Sequence, residues 1–115
     1  MKINGVELED LDIFDLEVAE KYEHVLKNVE KEANKVNKDT NMTDAIKIQC
    51  NAVFDSFNAL WGEGTDKKVF GNKVNLFTCI NAFDELVTQV NESKDRVKKI
   101  TEKYTPNRAT RRAKR

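Results

Sequence analysis

Apolar residues recur at helical spacing in three long stretches, which cover about residues 16–36, 42–61 and 76–104. Side chains that commonly cap helices stand before these stretches: Asp15, Asn41 and Asn75. The second stretch is the most apolar, so we expect it to form the centre of the core. The pattern predicts an all-α fold of three main helices, separated by polar or glycine-containing connections.

Two shorter segments complete the predicted fold. An Asn4-Gly5 pair stands between apolar residues and predicts a tight β-hairpin, or an extended arm, within residues 1–14. Strands this short are unstable alone, so the apolar residues of the arm must dock on the helices: Val6, Leu8, Leu11, Ile13 and Phe14. Between the second and third helices, Thr65 is expected to cap one helical turn that ends at Gly71.

The length of 115 residues predicts one domain, which we place at residues 1–104, followed by a tail of residues 105–115. Apolar residues make up 39% and charged residues 35%, which suffices for a modest core under a heavily charged surface. No apolar run approaches the roughly 20 residues that cross a bilayer, and residues 1–15 lack the pattern of a secretory signal. We therefore expect no membrane association, and a protein that stays in the compartment where it is made.

The zero net charge conceals an asymmetry between the body and the tail. The tail carries five basic residues and no acid, so residues 1–104 carry a formal charge of −5. Pro106 ends the third helix, and the tail has no large aliphatic side chain, so it is predicted to be disordered and flexible. If it became helical, four arginines would share one face: Arg108, Arg111, Arg112 and Arg115. That strip could bind phosphates or an acidic protein surface, or it could serve only to keep the chain soluble.

The sequence contains none of the usual catalytic or metal-binding patterns. His24, the single histidine, is expected on the exposed side of the first helix, with no nucleophile recognisably paired with it. Cys50 and Cys79 fall on apolar helical faces without metal-ligand spacing, and are expected to be reduced core residues. The glycines of residues 62–68 match neither common phosphate-binding motif. We therefore predict a binding protein and not an enzyme, with no metal and no cofactor.

Three segments of the chain together resemble the small tail assembly chaperones of Gram-positive tailed phages and prophages of the siphophage type. They are the opening INGVELEDLDIFDLEVAEKYE, the central AVFDSFNALWGEGTDKKVFGNKVNL and the closing YTPNRATRRAKR. Their order, which spans nearly the whole chain, carries the resemblance.

The resemblance implies a small helical protein that binds the tape-measure protein, keeps it soluble and helps the major tail (tube) protein polymerise around it. Such a chaperone acts in the host cell cytoplasm and is not retained in the mature virion. Many members are made in two lengths through a programmed frameshift near the end of the shorter reading frame. The family implies no catalytic residues.

Candidate contact residues come from the physics of binding. A chaperone for an aggregation-prone helical client needs apolar surface outside its own core. The candidates are Trp61 and Phe70 beside the glycine-containing connection, and a near-heptad seam of Val97, Ile100 and Tyr104. Ordinary core or hairpin packing is the alternative for these residues, and the seam also permits self-association.

The alternative function is that of a small phage or prophage nucleic-acid-binding or regulatory protein that uses the arginine strip. The acidic body argues against this alternative, because it would repel a phosphate backbone that the tail attracts. The tail also has no aromatic residue that could stack on bases. We therefore do not expect nucleic acid as a partner.

Overall fold

The computed structural model describes residues 1–103. The elements follow in the order β1 (Lys2–Ile3), β2 (Val6–Glu7), α1 (Leu16–Ala33), α2 (Met42–Trp61), α3 (Thr65–Phe70) and α4 (Leu76–Lys103). Within these residues, three long helices, one short helix and an N-terminal hairpin confirm the mostly helical fold that the sequence predicts. The tail at residues 105–115 lies outside the described residues.

The hairpin forms because its two turn residues adopt left-handed backbone conformations. Asn4 has a φ of 52° and Gly5 a φ of 76°, as a two-residue turn of type I′ requires. The turn sets the antiparallel register, in which Lys2 lies opposite Glu7. Ile3 is completely buried, so the hairpin is part of the core and the prediction of a docked hairpin is confirmed.

Side-chain hydrogen bonds fasten the hairpin to two helices. Gln89 Nε2, on α4, donates to the Lys2 carbonyl oxygen at 2.9 Å. Asn4 Nδ2 donates to the carbonyl oxygen of Val69, near the end of α3, at 2.8 Å. Both bonds join segments that are far apart in the chain, so they can form only when the hairpin and the helices come together.

The core is organised around α2, which packs against α1, α3 and α4. Cys50 and Phe57 of α2 are completely buried, as are Cys79 and Leu86 of α4. Burial of a large apolar side chain stabilises a fold by about 1.5–3 kcal/mol, so these contacts dominate the favourable free energy of folding. The prediction that the second helix forms the centre of the core is confirmed.

Two of the predicted helix caps form as expected. Asn41 Oδ1 accepts a hydrogen bond from Asp44 N at 2.8 Å before α2, and Asn75 Oδ1 accepts one from Thr78 N at 3.0 Å before α4. Asp15 occupies the cap position of α1, but its side chain makes no capping hydrogen bond. At α1, the carboxylate therefore favours the helix through its charge near the positive end of the helix dipole.

Two helix boundaries differ from the prediction. α1 ends at Ala33 and does not continue to Val36, because the N–H groups of Lys35 and Val36 bond to carbonyl oxygens three residues earlier. Gly64, with a φ of 91°, takes the cap position of α3. Thr65 is therefore the first residue of that helix and not its cap.

The C-terminal part of α4 extends beyond the packed body. Val90 is 1% exposed, whereas Val97 and Ile100 farther along the helix are 38% and 57% exposed. The segment from Val97 to Lys103 spans about 10 Å of helix. This end of α4 therefore presents apolar side chains that the core does not cover.

Among residues 1–103, no helix is both long enough and apolar enough to cross a bilayer, and this includes α4.

Candidate binding surface

The first two candidate residues, Trp61 and Phe70, belong to an aromatic cluster. The Trp61 ring stacks on Phe57 with 5.5 Å between the ring centroids, and Phe70 lies 5.1 Å from Phe54 and 5.4 Å from Phe57. Phe70 is only 9% exposed. The expectation that Phe70 lies outside the core is therefore corrected, because α3 folds this side chain back onto α2.

Trp61 also holds the N-terminal arm in place. Its indole Nε1 donates to the Glu9 carbonyl oxygen at 2.8 Å, and the half-buried ring packs against the core. Hairpin packing, the alternative for this residue, accounts for its position. Among the candidates within residues 1–103, this leaves Val97 and Ile100 as the pair that stands clear of the core.

Val97 and Ile100 line an open notch between the end of α4 and the last residues of the arm. The other apolar side chains of the notch are Leu11, Ile13 and Phe14. Its volume is about 290 Å³. Phe14 is 54% exposed at this place, although the sequence predicts that it docks. These five side chains and the space between them are termed the α4 notch.

A local turn explains why Phe14 lies on the surface. Asp12 Oδ1 accepts a hydrogen bond from Phe14 N at 3.2 Å, and the Asp12 carbonyl oxygen accepts one from Asp15 N at 3.0 Å. The turn buries Ile13, which is 7% exposed, and leaves Phe14 outside. Apolar character alone does not distinguish these two neighbours in an irregular arm. The signal for Phe14 is the aspartate three residues before the helix cap, which is typical of a tight turn.

Charges of opposite sign border the α4 notch on its two sides. Residues 94–103 of α4 contain five basic and two acidic residues, and Arg96 lines the notch. Residues 9–14 of the arm contain three acidic residues and no basic one, and Asp12 lines the notch. Each wall of the notch therefore combines apolar side chains with a charge, which is positive at Arg96 on α4 and negative at Asp12 on the arm.

A second apolar depression lies between α1 and α4, with α2 as its floor. Val29 and Ala33 form one wall, and Ile80 and Phe83 form the other. The depression, termed the α1–α4 cleft, has a volume of about 80 Å³, and no charged side chain is among the described residues that line it. Ile80 is 49% exposed and the nearby Phe77 is 75% exposed. The pattern of apolar residues in the sequence gives no sign of this cleft.

The residues considered for catalysis or metal binding are not among those that line the α4 notch. Cys50 and Cys79 are free and buried thiols on α2 and α4, whereas His24 is exposed on α1. Burial, together with the neighbouring Cys50, raises the pKa of the Cys79 thiol to about 12. In residues 1–103, no three or more His, Cys, Asp or Glu side chains are grouped so as to hold a metal ion.

The remaining candidates lie outside the described residues: Tyr104, Arg108, Arg111, Arg112 and Arg115. Their roles in binding stay predictions. In the sequence, the arginines continue the basic character of the α4 end, which already carries five basic residues between 94 and 103.

One family model matches the chain, that of DUF6673, described as a family of unknown function, and the match covers residues 4–115. It therefore includes the helices α1 to α4, the α4 notch and the α1–α4 cleft. No curated protein and no solved structure matches the chain.

Proposed function

We propose that this chain, which belongs to DUF6673, is a phage tail assembly chaperone that binds the tape-measure protein and helps recruit the major tail protein. It would act by stoichiometric binding without catalysis, in the host cell cytoplasm, and would be absent from the mature virion. The family is one of unknown function, so the proposal comes from the resemblance of three sequence segments to such chaperones. The α4 notch supports it.

The observation that carries the proposal is an apolar surface that the chain's own core leaves open. Phe14 and Ile100 are each more than half exposed, and they lie on opposite sides of the same notch. Burying a half-exposed side chain of this size is worth roughly 1 kcal/mol. A client helix that covers both walls would be held reversibly, which suits a chaperone that must later release its client.

Co-expression tests the proposal. If the proposal is right, we expect the reading frame directly downstream of this chain to encode a long, helix-rich protein. The chain is produced with that protein, and the soluble fraction of the downstream protein is measured with and without the chain. We expect the downstream protein to stay soluble only in the presence of the chain, and to co-purify with it at a fixed ratio. Equal solubility in the two cases would contradict the proposal.

Two matched substitutions locate the client surface in the same experiment. Ile100→Ser removes an apolar side chain from the α4 notch, and Ile80→Ser removes one of similar exposure from the α1–α4 cleft. We expect Ile100→Ser to lower the yield of soluble client and Ile80→Ser to leave it unchanged. Both side chains are about half exposed, so neither substitution should unfold the chain.

A separate titration tests the nucleic-acid alternative. Binding of the chain to duplex DNA is measured over a range of salt concentrations by filter retention. Tight binding with a steep dependence on salt would indicate that the basic residues neutralise phosphates. That result would contradict the chaperone proposal as the main activity.

A further inference from the structure

The charged walls of the α4 notch restrict what can occupy it. Arg96 lies on the α4 wall, where its Nη2 donates to Ser93 Oγ at 3.1 Å. Asp12 lies on the arm wall, where Oδ1 accepts from Phe14 N. A helix with an apolar stripe and charges of one sign on both borders would meet like charge on one of these walls. The walls therefore favour a partner whose two borders differ.

We infer that the α4 notch binds an amphipathic helix whose apolar stripe has an acidic border on one side and a basic border on the other. The apolar stripe covers Phe14, Val97 and Ile100. The acidic border lies along the Arg96 wall and the basic border along the Asp12 wall. Turning such a helix end to end exchanges its borders, so the two walls also fix the direction in which the helix lies.

A second copy of this chain fits the α4 notch less well than such a helix. The apolar stripe at its own α4 end is flanked by Arg96 before Val97 and by Lys98 after it. On a helix, the residues just before and just after Val97 lie on opposite sides of the stripe, so both borders of this stripe are basic. One of these borders would face Arg96 of the other copy, and like charges that face each other across an interface repel.

This inference deepens the proposed function, and it rests on that function for the identity of the client. The site itself is tested with three designed helical peptides that share one leucine stripe. Their borders are acidic and basic, acidic on both sides, or basic on both sides. Affinity for the full chain is measured by fluorescence anisotropy at low ionic strength, where surface charges are least screened.

We expect the peptide with unlike borders to bind more tightly than either peptide with uniform borders. Each correctly placed exposed charge pair should contribute a factor of about two to five in the dissociation constant. Asp12→Asn keeps the acceptor for Phe14 N and removes the negative charge. This variant should lose the preference over the acidic peptide, and Arg96→Gln should lose the preference over the basic peptide.

The variants of Ile100 and Ile80 show which surface of the chain binds the peptide. Ile100→Ser should weaken binding of the peptide with unlike borders, and Ile80→Ser should leave it unchanged. Equal affinities for the three peptides would overturn the inference, as would a loss of binding with Ile80→Ser in place of Ile100→Ser. Self-association that Ile100→Ser abolishes would also overturn it, because a second copy would then fill the notch.

The peptide test and the co-expression test fail independently. If the peptides bind in the expected order but the downstream protein gains no solubility, the proposed function fails and the inference stands. If the downstream protein is kept soluble but the three peptides bind equally, the inference fails and the proposed function stands.

Discussion

Trp61 and Glu9 are 52 positions apart in the chain and are joined by a hydrogen bond of 2.8 Å from the indole Nε1 to the carbonyl oxygen. The face of the same indole ring stacks on Phe57. Trp61 therefore contacts the core through its face and the arm through its edge. The arm continues from Glu9 into the wall of the α4 notch. Trp61 thus supports the proposed client surface without being part of it.

Replacing Trp61 with Phe should separate the hydrogen bond from the stacking. Phe keeps a ring against Phe57 and loses the N–H donor, and the bond lies where water can replace the donor. We expect the free energy of unfolding to fall by about 0.5–1 kcal/mol. Urea denaturation followed by circular dichroism measures it, since the change removes the only tryptophan of the sequence. Trp61→Ala also loses the stacking and the ring's buried area, and should cost about 2–3 kcal/mol. Equal losses in the two variants would contradict this division.

The turn residue Asn4 should contribute to the stability of the fold through both its side chain and its backbone conformation. Its Nδ2 donates to the Val69 carbonyl oxygen, and its φ of 52° is unfavourable for most side chains. Asn4→Gly removes the hydrogen bond but tolerates the backbone, and should cost about 1 kcal/mol in unfolding free energy. Asn4→Ala adds the backbone penalty of about 1–2 kcal/mol. If thermal or urea unfolding finds the two variants equally stable, the turn conformation carries no penalty for alanine.

Local signals in the sequence account for most of the fold. Helical spacing gives the three long helices, and the side chains of Asn41 and Asn75 place two of their starts. The end of α1 is different, because Val36 continues the apolar stripe while the backbone has already left the helix after Ala33. Periodicity describes which face a residue would occupy in a helix. It does not describe where the backbone finds better hydrogen bonds outside one.

The candidate surface could be predicted only in part. The near-heptad spacing of Val97 and Ile100 points to a stripe that needs a partner, and both side chains remain exposed. Phe70 is expected outside the core but is buried, and Phe14 is expected to dock but is exposed. Phe70 is placed by the direction in which the short helix α3 leaves the turn at Gly64. Phe14 is placed by the direction in which the irregular arm leaves the turn at Asp12. Both directions are set by long-range packing, which the order of apolar residues does not encode.

Two phenylalanines with opposite burial should differ strongly in their contribution to stability. Phe57 is completely buried, whereas Phe77 is 75% exposed. Phe57→Ala should lower the free energy of unfolding by about 3–5 kcal/mol, because the lost contacts leave a cavity in the core. Phe77→Ala should change it by less than about 0.5 kcal/mol. Urea denaturation of both variants measures the difference. A large loss with Phe77→Ala would show that this side chain is covered, for instance by self-association, in the native state.

Ionisation of the buried Cys79 thiol should lower the stability of the fold at alkaline pH. Burial and the neighbouring Cys50 raise its pKa from 9.0 to about 12. The folded chain therefore holds this proton more tightly than the unfolded chain does. The resulting stability is complete below the unfolded pKa and is lost as the pH rises through the folded one. Between these two values, we expect the free energy of unfolding to fall by up to about 1.4 kcal/mol per pH unit.

Cys79→Ala identifies the part of this pH dependence that belongs to the thiol. Burial also raises the pKa of Tyr22 above its ordinary value of 10.0, so Tyr22 adds a loss of the same sign that begins at higher pH. Hydrogen bonds to Asp10 and Glu7 raise the pKa of the Met1 ammonium above 8.0, so the parent chain and the variant share that loss of stability. The variant should be less stable at neutral pH, because it leaves a small cavity, but above pH 9.0 its stability should fall less steeply than that of the parent chain. Urea denaturation under reducing conditions, repeated at several alkaline pH values, measures both profiles. If the two profiles run parallel from neutral pH upward, Cys79 is not the group that titrates, and its proton is not held by the fold.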